Sequence, residues 1–178
     1  SIVMDPSTGF VQAMASAPTF DANIFSFPVA DDVYDKLNSE ENGSPLFNRV
    51  TSGRYPPGSI IKPFTATPAL ENDIVTRYTV FPYKVSGDKW KPPGTWYWEP
   101  VKRNETPDGP LDLDRAIRFS DNIYFSWLAL QMGQDMFLEY MEQIGMSEAI
   151  PFDLPVARAN LLNPKDENNA ASYNEDGT

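Results

Sequence analysis

The segment Arg54-Tyr-Pro-Pro-Gly-Ser-Ile-Ile-Lys-Pro-Phe64 sets Ser59 three residues before Lys62. On a helix, positions i and i+3 share a face, with Cβ atoms about 5–6 Å apart. The Lys62 amine can therefore reach back to the Ser59 hydroxyl. A neutral amine in that place takes the hydroxyl proton as the oxygen attacks a carbonyl. Lysine ordinarily titrates near about 10.4, so a common neutral form at pH 7 asks for a depression of about three pH units, or about 4 kcal/mol. Burial and neighbouring hydrogen bonds must supply it.

Composition narrows the alternatives. The chain has no histidine and no cysteine. That excludes a Ser-His-Asp triad, a thiolate nucleophile and nearly all zinc hydrolase patterns. A base for nucleophilic chemistry must then be Lys, Asp, Glu or Tyr. The scattered Asp and Glu form no coordination pattern, so no metal site and no cofactor is expected. The net charge of −11 argues against nucleic acid as a partner. A mild acidic cluster from Asp31 to Glu41 reads as solvated surface.

A second group fits the same chemistry. Ser120-Asp121-Asn122 sits between two expected helices, where the backbone can turn a hydroxyl and an amide toward one point. Ser120 can hydrogen-bond the amine and pass a proton to a leaving nitrogen, and Asn122 can hold the amine and a substrate carbonyl. Taken singly, each motif fits an ordinary helix cap equally well. Another Ser-x-x-Lys, Ser86-Gly-Asp-Lys89, lies in a loop with no helical run behind it and reads as accidental.

The elements that must position these residues follow from pattern. Residues 1–17 read as a sheet hairpin about Asp5-Pro-Ser-Thr-Gly9, with Pro and Gly suited to the turn. Residues 18–57 are mostly loop, with a short helix near Asp31–Leu37. A nucleophile helix is expected over 59–71, opened by Ser59 after Pro56-Pro57-Gly58. Backbone N–H groups at its start favour an oxyanion. Ile60, Phe64, Thr67 and Leu70 recur at helical spacing on it, and Pro68 is expected to kink or loosen it. Residues 72–110 form an aromatic and Pro-rich insert. Its cluster Trp90, Trp96, Tyr97 and Trp98 reads as packing, with a groove lining as the alternative. Residues 111–145 hold the helices that carry Ser-Asp-Asn. Tyr124, Phe125 and Trp127 are expected core, and Phe137, Tyr140, Met141 and Ile144 share a face of the last helix. Residues 163–178 form a polar tail.

With both motifs in view, the chain resembles the first part of a penicillin-binding protein transpeptidase domain of the class B type. Ser-Ile-Ile-Lys and Ser-Asp-Asn match the family's first two active-site motifs. Val3-Met-Asp-Pro-Ser-Thr-Gly9, Ala13-Met-Ala-Ser16, Pro18-Thr-Phe-Asp21 with Asn23, Phe47-Asn-Arg49, Tyr55-Pro-Pro-Gly-Ser59 and Phe152-Asp-Leu-Pro155 stand in family order. The resemblance implies an α+β chain, a partial penicillin-recognising fold of the serine transpeptidase/β-lactamase-like kind. It is helix-rich with an N-terminal β-hairpin, and the remaining strands of a five-stranded sheet are missing. It also implies that Ser59 is the acylated nucleophile, Lys62 its general base, Ser120 the proton relay and Asn122 the group that positions the lysine and the substrate backbone. Asp121 is left as structural. The implied partners are the D-Ala-D-Ala end of a peptidoglycan stem peptide and β-lactams. The implied location is the extracytoplasmic face of a bacterial membrane, with the parent tethered by an N-terminal helix.

The pattern also departs from the family. None of the seven lysines is followed by Ser/Thr-Gly, the family's third motif. That strand is expected to carry a second oxyanion donor, whose loss costs about 10²–10³ in rate. Residues 1–178 alone are therefore expected to be an inactive or incomplete fragment. Stoichiometric acylation of Ser59 by a labelled penicillin, with no complementing chain present, would contradict this. A lone hairpin is marginal and its edge invites pairing, so the edge near Ser1–Asp5 is expected to be covered by a second copy, a C-terminal fragment or a local rearrangement. Two other readings stay open. A class A-like β-lactamase would need a glutamate-bearing loop, whereas residues 149–166 offer only Asp153 before Asp166. A non-catalytic penicillin-binding or sensor relative would keep the pocket without turnover.

Overall fold

The computed structural model describes residues 1–94, 99–159 and 161 of the 178-residue chain. Trp96, Tyr97 and Trp98 of the aromatic cluster, and the polar tail over 163–178, lie outside the described residues. The chain divides into two units. One holds Ser1–Tyr55 with residues 148–159, the other Pro56–Ser147.

In the first unit, β1 (Ile2–Met4) pairs antiparallel with β2 (Val11–Met14), with a bulge between Val3 and Met4. The turn between them is held by its own polar groups. Gly9 N–H donates to the Asp5 carbonyl at 2.8 Å, and the Asp5 carboxylate accepts from the Ser7 N–H and hydroxyl at 2.9 and 2.7 Å. Gly9 takes φ +76°, where a side chain would be strained. Among the described residues β1 pairs with β2 alone, and its three residues are exposed. No rearrangement among the described residues covers the outer edge. α1 (Asp31–Asn38) follows, and Arg49 pins the loop after it by donating to the Gly43 carbonyl at 2.7 Å.

The second unit is built around α4 (Asn122–Met132). It meets α2 (Lys62–Glu71), α3 (Leu113–Arg118), α5 (Gln134–Gln143) and the short strand β4 (Val101–Lys102). α4 is apolar on nearly every side, which suits a helix enclosed by neighbours. Its Ile123, Tyr124 and Leu128 are fully buried, as are Ala69 of α2, Ala116 of α3 and Met141 of α5. Two of the helix ends have a local cause. The Asp112 carboxylate caps α3 by accepting from the Arg115 N–H at 2.9 Å. Gly133, at φ +78°, ends α4 and allows the chain to reverse into α5.

Three expectations need correction. The α-helix begins at Lys62, not Ser59. Gly58–Ile61 form a 3₁₀ turn, closed by Lys62 N–H on the Ser59 carbonyl. The reason is Pro63, which has no N–H to give the Ser59 carbonyl an i+4 partner. Pro68 lies within α2. It is almost fully buried inside a helix that runs on to Glu71. The buried face of α2 is Lys62, Thr65, Ala66, Pro68 and Ala69, whereas Ile60, Phe64 and Leu70 point outward. Small residues let α2 approach α4 closely enough for a lysine to lie inward. On α5 the buried pair is Leu138 and Met141, and Ile144 is exposed.

The insert is tied to α4 by aromatic rings. β3 (Lys89–Trp90) pairs with β4, and Trp90 is buried against Phe81 at 5.3 Å between ring centroids. Phe81 meets Trp127 edge-on at 5.8 Å, and Trp127 meets Tyr124 at 5.2 Å. Such edge-to-face pairs add about 0.5–1.5 kcal/mol each beyond burial. The Tyr124 hydroxyl donates to the Thr79 carbonyl at 2.7 Å. Burial, with the nearby Asp112 carboxylate second, pushes its pKa up to about 12. The folded state then holds this proton where the unfolded state, near 10, has lost it. Stability from this group is complete below pH 10 and falls as pH rises toward 12. Tyr124→Phe is expected to cost about 1 kcal/mol at pH 7 in urea unfolding. It should also flatten part of the alkaline decline; an unchanged slope between pH 10 and 12 would refute the assignment.

Candidate active site

The site forms where the first turn of α2 meets the head of α4. In a 3₁₀ turn, side chains at i and i+3 eclipse one another. The turn at 58–61 therefore stacks Ser59 over Lys62, and Lys62 Nζ lies 3.2 Å from Ser59 Oγ. The other wall is the corner between α3 and α4. Ser120 N–H closes a turn on the Ile117 carbonyl, and Ser120 itself takes φ +49°. That left-handed conformation is costly for a residue with a side chain. It presents both oxygens of Ser120 to one point: Nζ donates to the Ser120 carbonyl at 2.5 Å and lies 2.9 Å from its Oγ. Asn122, the first residue of α4, accepts from Nζ through Oδ1 at 2.7 Å. Its Nδ2 donates to the Lys102 carbonyl of β4 at 3.0 Å, which fixes the amide orientation. Ser120 Oγ and Ser59 Oγ are 2.9 Å apart. Ser59, Ser120 and Asn122 thus converge on the nitrogen of Lys62, the fourth residue singled out in the sequence.

Counting donors and acceptors shows which protonation states the site can accommodate. Four oxygens surround Nζ, more than the three protons of an ammonium can serve. A neutral amine has two N–H groups and one lone pair. The Ser120 carbonyl and Asn122 Oδ1 can only accept, so they take the two N–H groups. The lone pair is left for a hydroxyl. With Ser59 donating into it and Ser120 donating to Ser59 Oγ, every donor and the lone pair are matched; an ammonium would instead give its third proton to a hydroxyl. Lys62 is 7% exposed and lies 5.7 Å from the centre of the Phe125 ring. Burial holds its pKa below the ordinary lysine range, and the Asp121 carboxylate pulls the other way.

Asp121 has two partners. Its Oδ1 accepts from the Tyr124 N–H at 2.7 Å and caps α4, while Oδ2 lies 2.9 Å from Arg103 Nε. The carboxylate is fully buried and Arg103 is nearly so. The Arg103 contact is a charge pairing rather than an aligned hydrogen bond. Arg103, the Lys102 carbonyl and the Phe125 ring were not legible as site components. A buried Asp in a Ser-Asp-Asn corner asks for a cation, but nothing local says which of the 14 Lys and Arg residues supplies it. The second Ser-x-x-Lys, Ser86 to Lys89, closes a tight turn with Lys89 N–H on the Ser86 carbonyl.

The strain at Ser120 can be separated from its hydroxyl. Ser120→Gly and Ser120→Ala both lose the oxygen, but only glycine relaxes at positive φ. The glycine variant is expected to be more stable than the alanine variant by about 1 kcal/mol in chemical denaturation. Equal stabilities would mean that the corner is not held in this conformation.

The sequence matches the penicillin binding protein transpeptidase domain over residues 1–175. It is 34% identical over 167 residues to penicillin-binding protein 3 of Bacillus subtilis, covering 93% of this chain and 24% of that protein. It is 37% identical over 154 residues to the peptidoglycan D,D-transpeptidase MrdA of Salmonella typhimurium, covering 86% and 24%. The chain therefore spans about a quarter of the length of these relatives. Among solved structures, Pseudomonas aeruginosa PBP2 in complex with WCK 5153 superposes with a TM-score of 0.74 at 31% identity, over 90% of this chain and 36% of that one. The imipenem acyl-enzyme of penicillin-binding protein A from M. tuberculosis gives 0.76 at 26% identity, over 93% and 38%. The fold is part of a penicillin-recognising fold, and the chain belongs to the penicillin binding protein transpeptidase domain family.

Proposed function

We propose that the protein is a peptidoglycan D,D-transpeptidase that works through a serine acyl-enzyme and is inhibited by β-lactams. The observation that carries this reading is the single nitrogen of Lys62 in contact with Ser59 Oγ, Ser120 Oγ and Asn122 Oδ1. In the proposed acylation, the Ser59 proton passes to the Lys62 lone pair as Ser59 Oγ bonds to the carbonyl carbon of the penultimate D-Ala. The C–N bond to the last D-Ala then breaks. The Lys62 ammonium gives a proton to Ser120 Oγ, which hands its own to the leaving nitrogen. The 2.9 Å contact between the two serine oxygens supports that relay, because it sets the Ser120 hydroxyl beside the reacting atom. Asn122 keeps the amine pointed at Ser59. An incoming amine reverses the path, and its attack on the ester forms the cross-link. A β-lactam follows the first step only, since its amide nitrogen stays tethered. By the same reading the protein works outside the cytoplasmic membrane, where stem peptides lie.

The test is the rate at which a labelled penicillin modifies the protein as the cell makes it. Mass spectrometry should place one adduct on the peptide containing Ser59, and Ser59→Ala should abolish it. Lys62→Met should slow it by at least about 10²-fold, the contribution of a general base. The wild-type rate should climb with pH along a limb whose midpoint lies below the ordinary lysine value, because only the neutral amine accepts the proton. An adduct that survives Ser59→Ala, or a Lys62→Met rate equal to wild type, overturns the proposal.

A further inference from the structure

The buried pair Arg103–Asp121 takes no part in the proton path above, yet it borders the residues that form it. Asp121 is 1% exposed and Arg103 9%. Burying one charge without a partner is strongly destabilising, so each needs the other. The position of Arg103 is also fixed through its main chain, whose N–H donates to the Asp88 carbonyl at 2.9 Å. The neighbouring Lys102 carbonyl holds Asn122 Nδ2. The strand β4 and the residue after it thus touch both members of the Asp121-Asn122 corner, one by charge and one by hydrogen bond.

The consequence for Lys62 is electrostatic. Among the described residues, the charged group acting on the amine is Asp121, at the head of α4. The other groups around the amine are the uncharged Ser59, Ser120, Asn122 and Phe125. Facing Asp121 are Arg103 from the loop after β4 and, through space, Lys62 from α2. A guanidinium stays charged at every relevant pH. With Arg103 present, Asp121 keeps a cation whether Lys62 is protonated or not. Without it, deprotonating Lys62 would strand a fully buried carboxylate, so the proton would stay.

We propose that Arg103 is a positioning residue for the general base: it neutralises Asp121 and so allows the Lys62 amine to exist uncharged beside Ser59. The proposal rests on the acyl-enzyme reading for its purpose but not for its physics. Asp121 therefore serves α4 as a cap while its charge is balanced by Arg103.

The test reads Lys62 itself. In protein labelled with ¹³C at the lysine ε-carbons, the Lys62 resonance is assigned by its loss in Lys62→Arg and titrated by NMR. Arg103→Met should move the Lys62 midpoint upward by about one pH unit, and Arg103→Lys, which keeps the charge, should restore most of it. Asp121→Asn keeps the cap on Tyr124 and leaves Arg103 unopposed, so it should move the midpoint downward. Opposite signs are the mark of a charge effect; general loosening of the site would move both variants the same way. If Arg103→Met fails to fold, the downward shift in Asp121→Asn and the near-wild-type value in Arg103→Lys still decide. Shifts of one sign, or none, overturn the inference even where penicillin acylates Ser59. Opposite shifts in a protein that penicillin never acylates would sustain it and sink the proposed reaction instead.

Discussion

A lysine amine enclosed by oxygen atoms is the constraint around which the second unit is arranged. Burial alone would expel the proton but also leave the nitrogen unsatisfied, which is costly in a low-dielectric site. Acceptors alone would hold the ammonium firmly. The structure sets the two against each other. Two carbonyl oxygens, from Ser120 and Asn122, meet the N–H groups. Two hydroxyls remain for the lone pair or the third proton. The amine can be satisfied in either state, so its proton can leave or return without stranding a buried donor.

Three backbone features bring this about, and each has a sequence cause. Pro63 denies the Ser59 carbonyl its α-helical partner, so the turn tightens and eclipses Ser59 with Lys62. The small residues Ala66 and Ala69 bring α2 against α4, so that the base lies at the contact rather than at the surface. Ser120 accepts positive φ, so that one residue offers two oxygens. The strain at Ser120 is tolerated because Asp121 N–H is satisfied by the Ala116 carbonyl and its side chain caps the following helix. Order on both sides of the corner leaves Ser120 no other conformation.

Much of this was legible in the sequence where the signal is local. Cap residues, glycine stops and the i, i+3 spacing of Ser59 and Lys62 depend on a few neighbouring residues, and the helices from Asp112 onward follow them to within a residue or two. What was not legible depends on pairing across long separations. Helical spacing groups Ile60, Phe64 and Leu70, yet the chain buries the small face, because helix approach is decided by the partner and not by apolar periodicity. Likewise the 3₁₀ turn was hidden, although its cause stands in the sequence: Pro63 follows Lys62 directly and removes the N–H that an α-helical start would need. The partner of Asp121 lies 18 residues away in an irregular insert, where no period or motif marks it.

The same arrangement has a thermodynamic cost with a definite sign. The pKa of Lys62 lies below the ordinary value because burial disfavours its charge. Between the folded and unfolded values, the unfolded chain binds the proton and the folded chain does not. Stability from this group therefore rises with pH across that window, and at neutral pH the buried amine works against folding. An apolar side chain of similar length would fill the space between α2 and α4 without burying a charge, but would leave the Ser120 carbonyl and Asn122 Oδ1 without their donor. The cost must be offset elsewhere, and the unit shows where: in the fully buried Ile123, Tyr124 and Leu128 behind the corner, and in the rings that join Trp90 and Phe81 to α4. The insert that looks like an irregular loop is then part of what makes the base affordable. It covers the core that carries the strain, and through Lys102 and Arg103 it reaches the two residues that orient and neutralise the surroundings of the amine.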